Sequence, residues 1–470
     1  MFELHHLSAL EQLDWLRRGE VTPRELAAHY LERIERLDAE LGAFVEVTPE
    51  RALERADAVA GTPRSAALWG LPFADKDLVA RAGVPTRYGS RLMAGNVPEQ
   101  SDELALAFDG VGAVSLGKTN TPEFGMPSYT EPLAARPART PYDLGRGAGG
   151  SSGGAAVAVA AGLLPFAPGS DGGGSVRIPA ASTGLVGLKP SRGRIPAGAG
   201  FADPAGLVVP GPLARTVGDA ALMLDALVGA APYRYATAAP TWDGGAYLNA
   251  AIRGEGRYQL GVTTWSPWAT AYDLVLEPEA REALDLALRK LDALGHGVEQ
   301  LEPDAEEGYA PAFRTVWQAG AAGIPVEGDD LDALEPLTAW LVRRGRELGA
   351  RELVEARAWL NGFERRLITA FAPFDAVLTP SLAMTPRPVG WYDAEDGERN
   401  FAQQVIFTPY TSMVNVAGLP AITLPVAQTA DGLPMGVQLI GRPGGEHVLL
   451  AIGAQLERRL RWQRRHPPAW

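Results

Sequence analysis

The stretch Gly149–Ser175, GGSSGGAAVAVAAGLLPFAPGSDGGGS, constrains this chain more than any other. Two glycine-rich segments, each holding serine, flank one short apolar run. Glycine loses more backbone entropy on folding than any other residue, so its clustering needs a local reason such as bare backbone. The run between them, Ala155 to Ala161, has small side chains and reads as a helix. Any fold must therefore place two bare-backbone loops at the two sides of one tightly packed segment.

The rest of the chain supplies the bulk to bury such a segment. At 470 residues it can bury roughly three quarters of its unfolded surface, with no need of a metal or disulfide. Its formal net charge of −13 argues against nucleic acid as a main partner, because phosphate binding needs a basic footprint. The one basic stretch, Arg458 to Arg465, reads as the cationic end of a helix closed by Pro467-Pro468. The absence of cysteine excludes disulfides, thiolate nucleophiles and zinc-thiolate sites. The opening MFELHHLSALEQLDWLRRGE has no apolar h-region and reads as an amphipathic helix. Ala155 to Pro168, the longest apolar stretch, is too short to cross a bilayer. A cytoplasmic location with no membrane partner is the expectation.

Punctuation along the chain predicts an α/β fold. Thr22-Pro23-Arg24-Glu25 is a capping box, and Leu26, Tyr30, Ile34 and Leu37 follow at helical spacing. A second helix starts at Pro49 and runs to about Ala60. From Leu71 to Gly211 the texture becomes short apolar runs broken by glycine and proline, as in buried strands with functional loops. Later strands are expected at Tyr258–Trp265, Phe374–Leu378 and Ala421–Ala427, the last in a hairpin with MGVQLIG. A helix is expected over Pro278–Leu294, ended by Gly295. Strands and helices alternate with no repeat, charge block or linker. One large domain follows: N-terminal helices (1–65), a core (66–235), a Trp-bearing helical layer (236–372) and a closing part of the core (373–470).

Three familiar patterns carry little weight here. Gly112–Thr119 matches GxxxxGK[ST], but Pro122, Gly125 and Pro127 stand where the phosphate-binding helix should run. Gly145–Gly150 fits GxGxxG without a preceding strand. Gly149–Gly153 fits GxSxG, the turn that presents a nucleophilic serine, but that turn needs a histidine as base. The six histidines are His5, His6, His29, His296, His447 and His466, and only His447 has the right chain order. No paired-histidine spacing suggests a metal site. Lysine is the other available base, if burial lowers its pKa from about 10.4. Lys76, Lys118 and Lys189 lie in the apolar region.

The blocks GLPFADKDLV, GKTNTPEFG, GGSSGG, GSDGGGSVRIPA, GLVGLKP and GPLARTVGDAALML together resemble the amidase signature family. So does the closing NVAGLPAITLPVAQTADGLPMGVQLIGRP, and the matching blocks run from about residue 68 to 442 in the family's order. The resemblance implies a twisted mixed, mostly parallel sheet between helical layers. It implies an amide hydrolase with a Ser–cis-Ser–Lys triad: Ser175 the nucleophile, Ser151 the bridging serine after a cis bond, Lys76 the base. Backbone N–H groups of Gly172, Gly173, Gly174 and Ser175 would form an oxyanion hole. Asp171 and Arg177 would orient the nucleophile loop, and Asp75, next to the lysine, should face away from it, as neighbours on a strand do.

A small-molecule amide is the expected partner, with no cofactor implied and a homodimer left open. Gly125, Met126 and Ser152 are the expected substrate contacts, with Trp265, Trp268, Trp317 and Trp340 as candidates in the variable layer. GLPFADKDLVARAGVPTRYGSR and GLKPSRGRI look most similar to the cyclic-amide and nylon-oligomer hydrolases. Competing readings are the glutaminase subunit of an aminoacyl-tRNA amidotransferase, a Ser-His-acid hydrolase, and a silent binding protein on the same fold.

Overall fold

A computed structural model describes residues 3–195, 203, 206–230, 240, 242–328, 330–468 and 470. Its strands, in chain order, are β1 (Phe44–Val47), β2 (Pro72–Lys76), β3 (Val114–Thr119), β4 (Phe166–Asp171), β5 (Val186–Lys189) and β6 (Val209–Ala214). They continue as β7 (Gln259–Val262), β8 (Gly297–Gln300), β9 (Ala376–Pro380), β10 (Ala421–Gln428) and β11 (Pro434–Gly441). Eight of them form one sheet in the order β4-β6-β5-β10-β11-β9-β7-β8, and β1-β3-β2 form a small second sheet.

The large sheet is mixed, as expected of an α/β fold, but its parallel majority is not found. Only β9-β7 and β7-β8 pair in parallel; the other five neighbours are antiparallel. Alternation of helix and strand in sequence shows that crossovers exist, not which strands they join as neighbours. The helix Pro278–Ala293 does connect the parallel pair β7 and β8. β10 and β11 instead join by a short turn, with Ile422 facing Leu439 and Thr423 facing Gln438. Gly432 takes φ +85° in that turn, a conformation glycine adopts without strain.

Both faces of the sheet are covered. Ile422, Leu424, Val437 and Leu439 join the larger core, with the helices Gly153–Ala160, Val217–Ala230, Pro278–Ala293 and Glu446–Leu460. Their strand neighbours Ala421 and Ile440 point the other way, into a second core with the helices Tyr309–Ala322, Pro336–Glu347 and Ala350–Phe371. That is the period-2 alternation of strands buried on both sides. The helix Gly153–Ala160 is buried at every residue, which its glycine and alanine permit. A Cβ on Gly154 would stand 2.3 Å from the backbone N of Asn120, so only glycine fits this contact.

The helical expectations hold closely at the N-terminus. Thr22 caps Pro23–Leu41 reciprocally with Glu25, and Pro49–Ala60 follows. No helix among the described residues is long and apolar enough to cross a membrane.

Candidate active site

Three backbone segments converge at one buried point. β2 ends at Lys76, the turn Gly149–Ser152 enters the helix Gly153–Ala160, and β4 ends at Asp171 before the loop Gly172–Ser175. The two loops are tied by main chain: Ser152 N–H donates to the Ser175 carbonyl at 3.2 Å. Thr121 Oγ1 donates to the Ser151 carbonyl at 3.0 Å, and the Gly150–Ser151 bond is cis. Gly125 also approaches, at φ +69°; a Cβ there would collide with Leu78 at 2.5 Å and lie 3.6 Å from Ser151 Oγ.

Lys76 is the centre of the cluster. Its Nζ lies 2.7 Å from Ser151 Oγ, 2.9 Å from Ser152 Oγ and 3.0 Å from Ser170 Oγ. Burial pushes its pKa down to about 7, against the opposing pull of the Asp171 carboxylate. Asp75, its neighbour in sequence, faces the other way as expected. Its carboxylate binds Arg81 Nε at 2.6 Å and accepts from Ser115 Oγ at 2.9 Å. Ser152, expected as a substrate contact, is instead held inside by Lys76 and Ser170. Ser170 was not expected at all; its only sequence signal is its place one residue before Asp171 at a strand end.

The loop Gly172–Ser175 is fixed from behind. Asp171 accepts Gly174 N–H at 2.8 Å and Val176 N–H at 3.2 Å, and it pairs bidentately with Arg177 at 3.0 and 2.8 Å. Asn415, Thr411 and Gln438 complete the network around Arg177. Burial alone would raise the Asp171 carboxyl, but Arg177 and its neighbours hold it at about 2. This network changes one expectation. Gly174 N–H is taken by Asp171 and so cannot serve an oxyanion, whereas no protein acceptor among the described residues takes the N–H of Gly172, Gly173 or Ser175. Gly174, at φ +132°, would drive a Cβ to 2.5 Å from Thr411 Oγ1.

A narrow cavity of about 60 Å³ opens beside Ser175. Met126, Trp268, Trp317 and Gly173 line it, so two of the four candidate tryptophans reach the site. Trp340 packs on Phe401 and Trp265 is half-buried in the second core. His447 is not brought to the serines; it stacks on Trp242 at 4.8 Å. Lys118, in the phosphate-loop look-alike, sits within β3 and is bound to Thr86 Oγ1 at 3.0 Å, near Asp77 at 3.5 Å. No helix begins there, as that pattern would require.

A family model described as Amidase matches residues 25–450. The chain belongs to the amidase signature family. It is 38% identical over 479 residues to a putative amidase, AmiB2, of Mycobacterium tuberculosis, covering 99% of this chain and 98% of that protein. The solved structure of 6-aminohexanoate cyclic dimer hydrolase complexed with substrate superposes with a TM-score of 0.89 at 30% identity, over 99% of this chain and 100% of that one. A glutamyl-tRNA(Gln) amidotransferase component from Moorella thermoacetica is 34% identical over 99% of both chains. Membership in this family makes the protein a hydrolase of amide C–N bonds.

Proposed function

We propose that the protein cleaves its amide through an acyl-enzyme, with Ser175 as nucleophile, Ser151 as proton bridge and Lys76 as base. The observation that carries this reading is Lys76, buried and poised at about pH 7, with three hydroxyls around its amine. A neutral amine has two hydrogens and one lone pair. Ser152 Oγ has a carbonyl for its own hydrogen, that of Ser170 at 3.4 Å, and so accepts from Lys76. Ser170 Oγ accepts the second hydrogen, leaving the lone pair for the Ser151 hydroxyl. Ser151 then passes its proton to Lys76 as it takes the proton of Ser175, whose oxygen attacks the amide carbonyl. The oxyanion falls to the free N–H groups of Gly172, Gly173 and Ser175. The same relay run backwards protonates the leaving amine, and water repeats the cycle to release the acid.

A fluorophosphonate probe tests the assignment. The adduct is expected on Ser175 by peptide mass spectrometry and is expected to disappear in Lys76→Ala. An adduct on Ser151 or Ser152 would refute it.

The proton count also predicts a pH profile. Below about pH 7 Lys76 is an ammonium with no lone pair, so kcat/KM rises with pH through about 7 and then levels. Ser170→Ala removes a hydroxyl that stabilises the ammonium more than the amine, so the rising limb moves to lower pH. The plateau falls about tenfold because the lone pair is no longer aimed at Ser151. An unchanged profile in Ser170→Ala would show that this serine only fills space.

A further inference from the structure

Among the described residues, no charged side chain lines the cavity at Ser175. Gln404, Thr408 and Ser412 in this wall are already engaged within the protein. Gln404 Nε2 donates to Asn400 Oδ1 and its Oε1 accepts Ser128 N–H, both at 2.7 Å. Thr408 Oγ1 donates to the Gln404 carbonyl at 2.9 Å. Ser412 Oγ accepts from Trp268 Nε1 at 2.9 Å and shares a hydrogen bond with the Tyr309 hydroxyl. The buried Ser128 hydroxyl is the exception, with no hydrogen-bond partner among the described residues. A charged acyl chain entering here would lose its water and meet a single free hydroxyl with no counter-ion, whereas each methylene buried against the aromatic wall is favourable.

Trp317 stands where this wall meets the nucleophile loop. A Cβ on Gly172 would lie 3.4 Å from its Cη2 and 3.5 Å from its Cζ3; one on Gly173 would lie 4.0 Å from Cη2. The indole edge therefore stands over both glycines, with room for no more than about a methyl group between. Phe313 stacks on the indole with centroids 5.6 Å apart and also reaches Gly173, and Trp268 meets Phe313 edge-on at 5.3 Å. With the indole so packed, the cavity holds about 60 Å³, well under the roughly 150 Å³ that accommodates a benzene ring.

We propose that Trp317, standing over Gly172 and Gly173, limits this pocket to an uncharged, short aliphatic acyl group. The inference rests on Ser175 being the nucleophile. It also disfavours glutamine as the substrate, because its ammonium and carboxylate would find no counter-ion among the described residues of this wall.

The test is acylation of the full-length protein by p-nitrophenyl esters from acetyl to octanoyl, with Ser175→Ala as background. In this step the Ser175 oxygen forms a bond to the acyl carbon, p-nitrophenolate leaves with the bonding pair, and the serine proton goes through Ser151 to Lys76. The wild type is expected to react fastest with acetyl to butyryl esters and on the order of tenfold slower with octanoyl. It should also prefer a pentanoyl ester to its carboxylate-ended counterpart, glutaryl. Trp317→Ala should shift the optimum to longer chains, raising the octanoyl-to-acetyl ratio on the order of tenfold or more, with Trp317→Phe between. Should Trp317→Ala not fold, Trp317→Phe and the wild-type chain-length series still decide. An unchanged ratio in variants that still acylate at Ser175, or a wild-type preference for glutaryl, would overturn the pocket assignment alone. Release of nitrophenolate independent of Ser175, with no fluorophosphonate adduct there, would overturn the nucleophile and this inference with it.

Discussion

Ser175→Ala is expected to lower turnover of a short-chain acyl p-nitroanilide by about 10⁶-fold, and Lys76→Ala by about 10⁴-fold. In the proposed relay the first removes the atom that attacks. The second leaves Ser175 in place but strands the proton: Ser151, Ser152 and Ser170 surround the vacated amine, and none of them is a base near neutral pH. The two losses should not add, because without the nucleophile the base has nothing to relay. Residual activity would come from the loop N–H groups and from binding. The measurement is kcat/KM for both single variants and the double, at pH 8. If Lys76→Ala retained activity within tenfold of the wild type, another group would have to accept the serine proton, and the relay would be wrong.

Asp171→Asn is expected to damage both the fold and the site. Arg177 and Asp171 are buried at 0% side-chain exposure, and Arg177 has no other carboxylate among its bonded partners. Breaking a buried pair by neutralising one member costs about 3–5 kcal/mol, because the remaining charge is left without a partner in a dry interior. The same carboxylate holds Gly174 and Val176 N–H, so the loop that presents Ser175 loosens as well. Urea unfolding should show the loss of stability, and fluorophosphonate labelling of the folded fraction should slow. Replacing both partners, Asp171→Asn with Arg177→Met, should cost less stability than the two single changes summed. A fully stable Asp171→Asn would mean that Asn415 and Gln438 suffice to hold the guanidinium.

Much of the candidate site was legible in the chain because each of its parts is local. Lys76, Ser151 and Ser175 each sit in a short block whose composition is required by the backbone around it: bare loops at Gly149–Gly150 and Gly172–Gly174, and a strand end at Lys76. The direction of Asp75 was legible for the same reason, since alternation along a strand is a property of the strand itself. Ser170 was not legible. It faces the lysine only because β4 and β2 pack together at their ends, and no spacing in the sequence encodes that.

The sequence by itself determined which residues could do the chemistry, through the absence of cysteine, the poor placement of every histidine and the paired glycine-serine loops. It also determined the helices whose caps lie within a few residues of one another. Tertiary structure alone decided three things. Strand neighbours are chosen by sheet packing between distant segments, so the antiparallel majority was invisible in the alternation of elements. The Gly174 N–H was lost to Asp171 because a carboxylate buried beside an arginine takes every donor within reach. Trp317 became part of the pocket wall, and Trp340 did not, because the helix Tyr309–Ala322 carries its indole to the loop at Gly172 and Gly173 while Trp340 packs on Phe401.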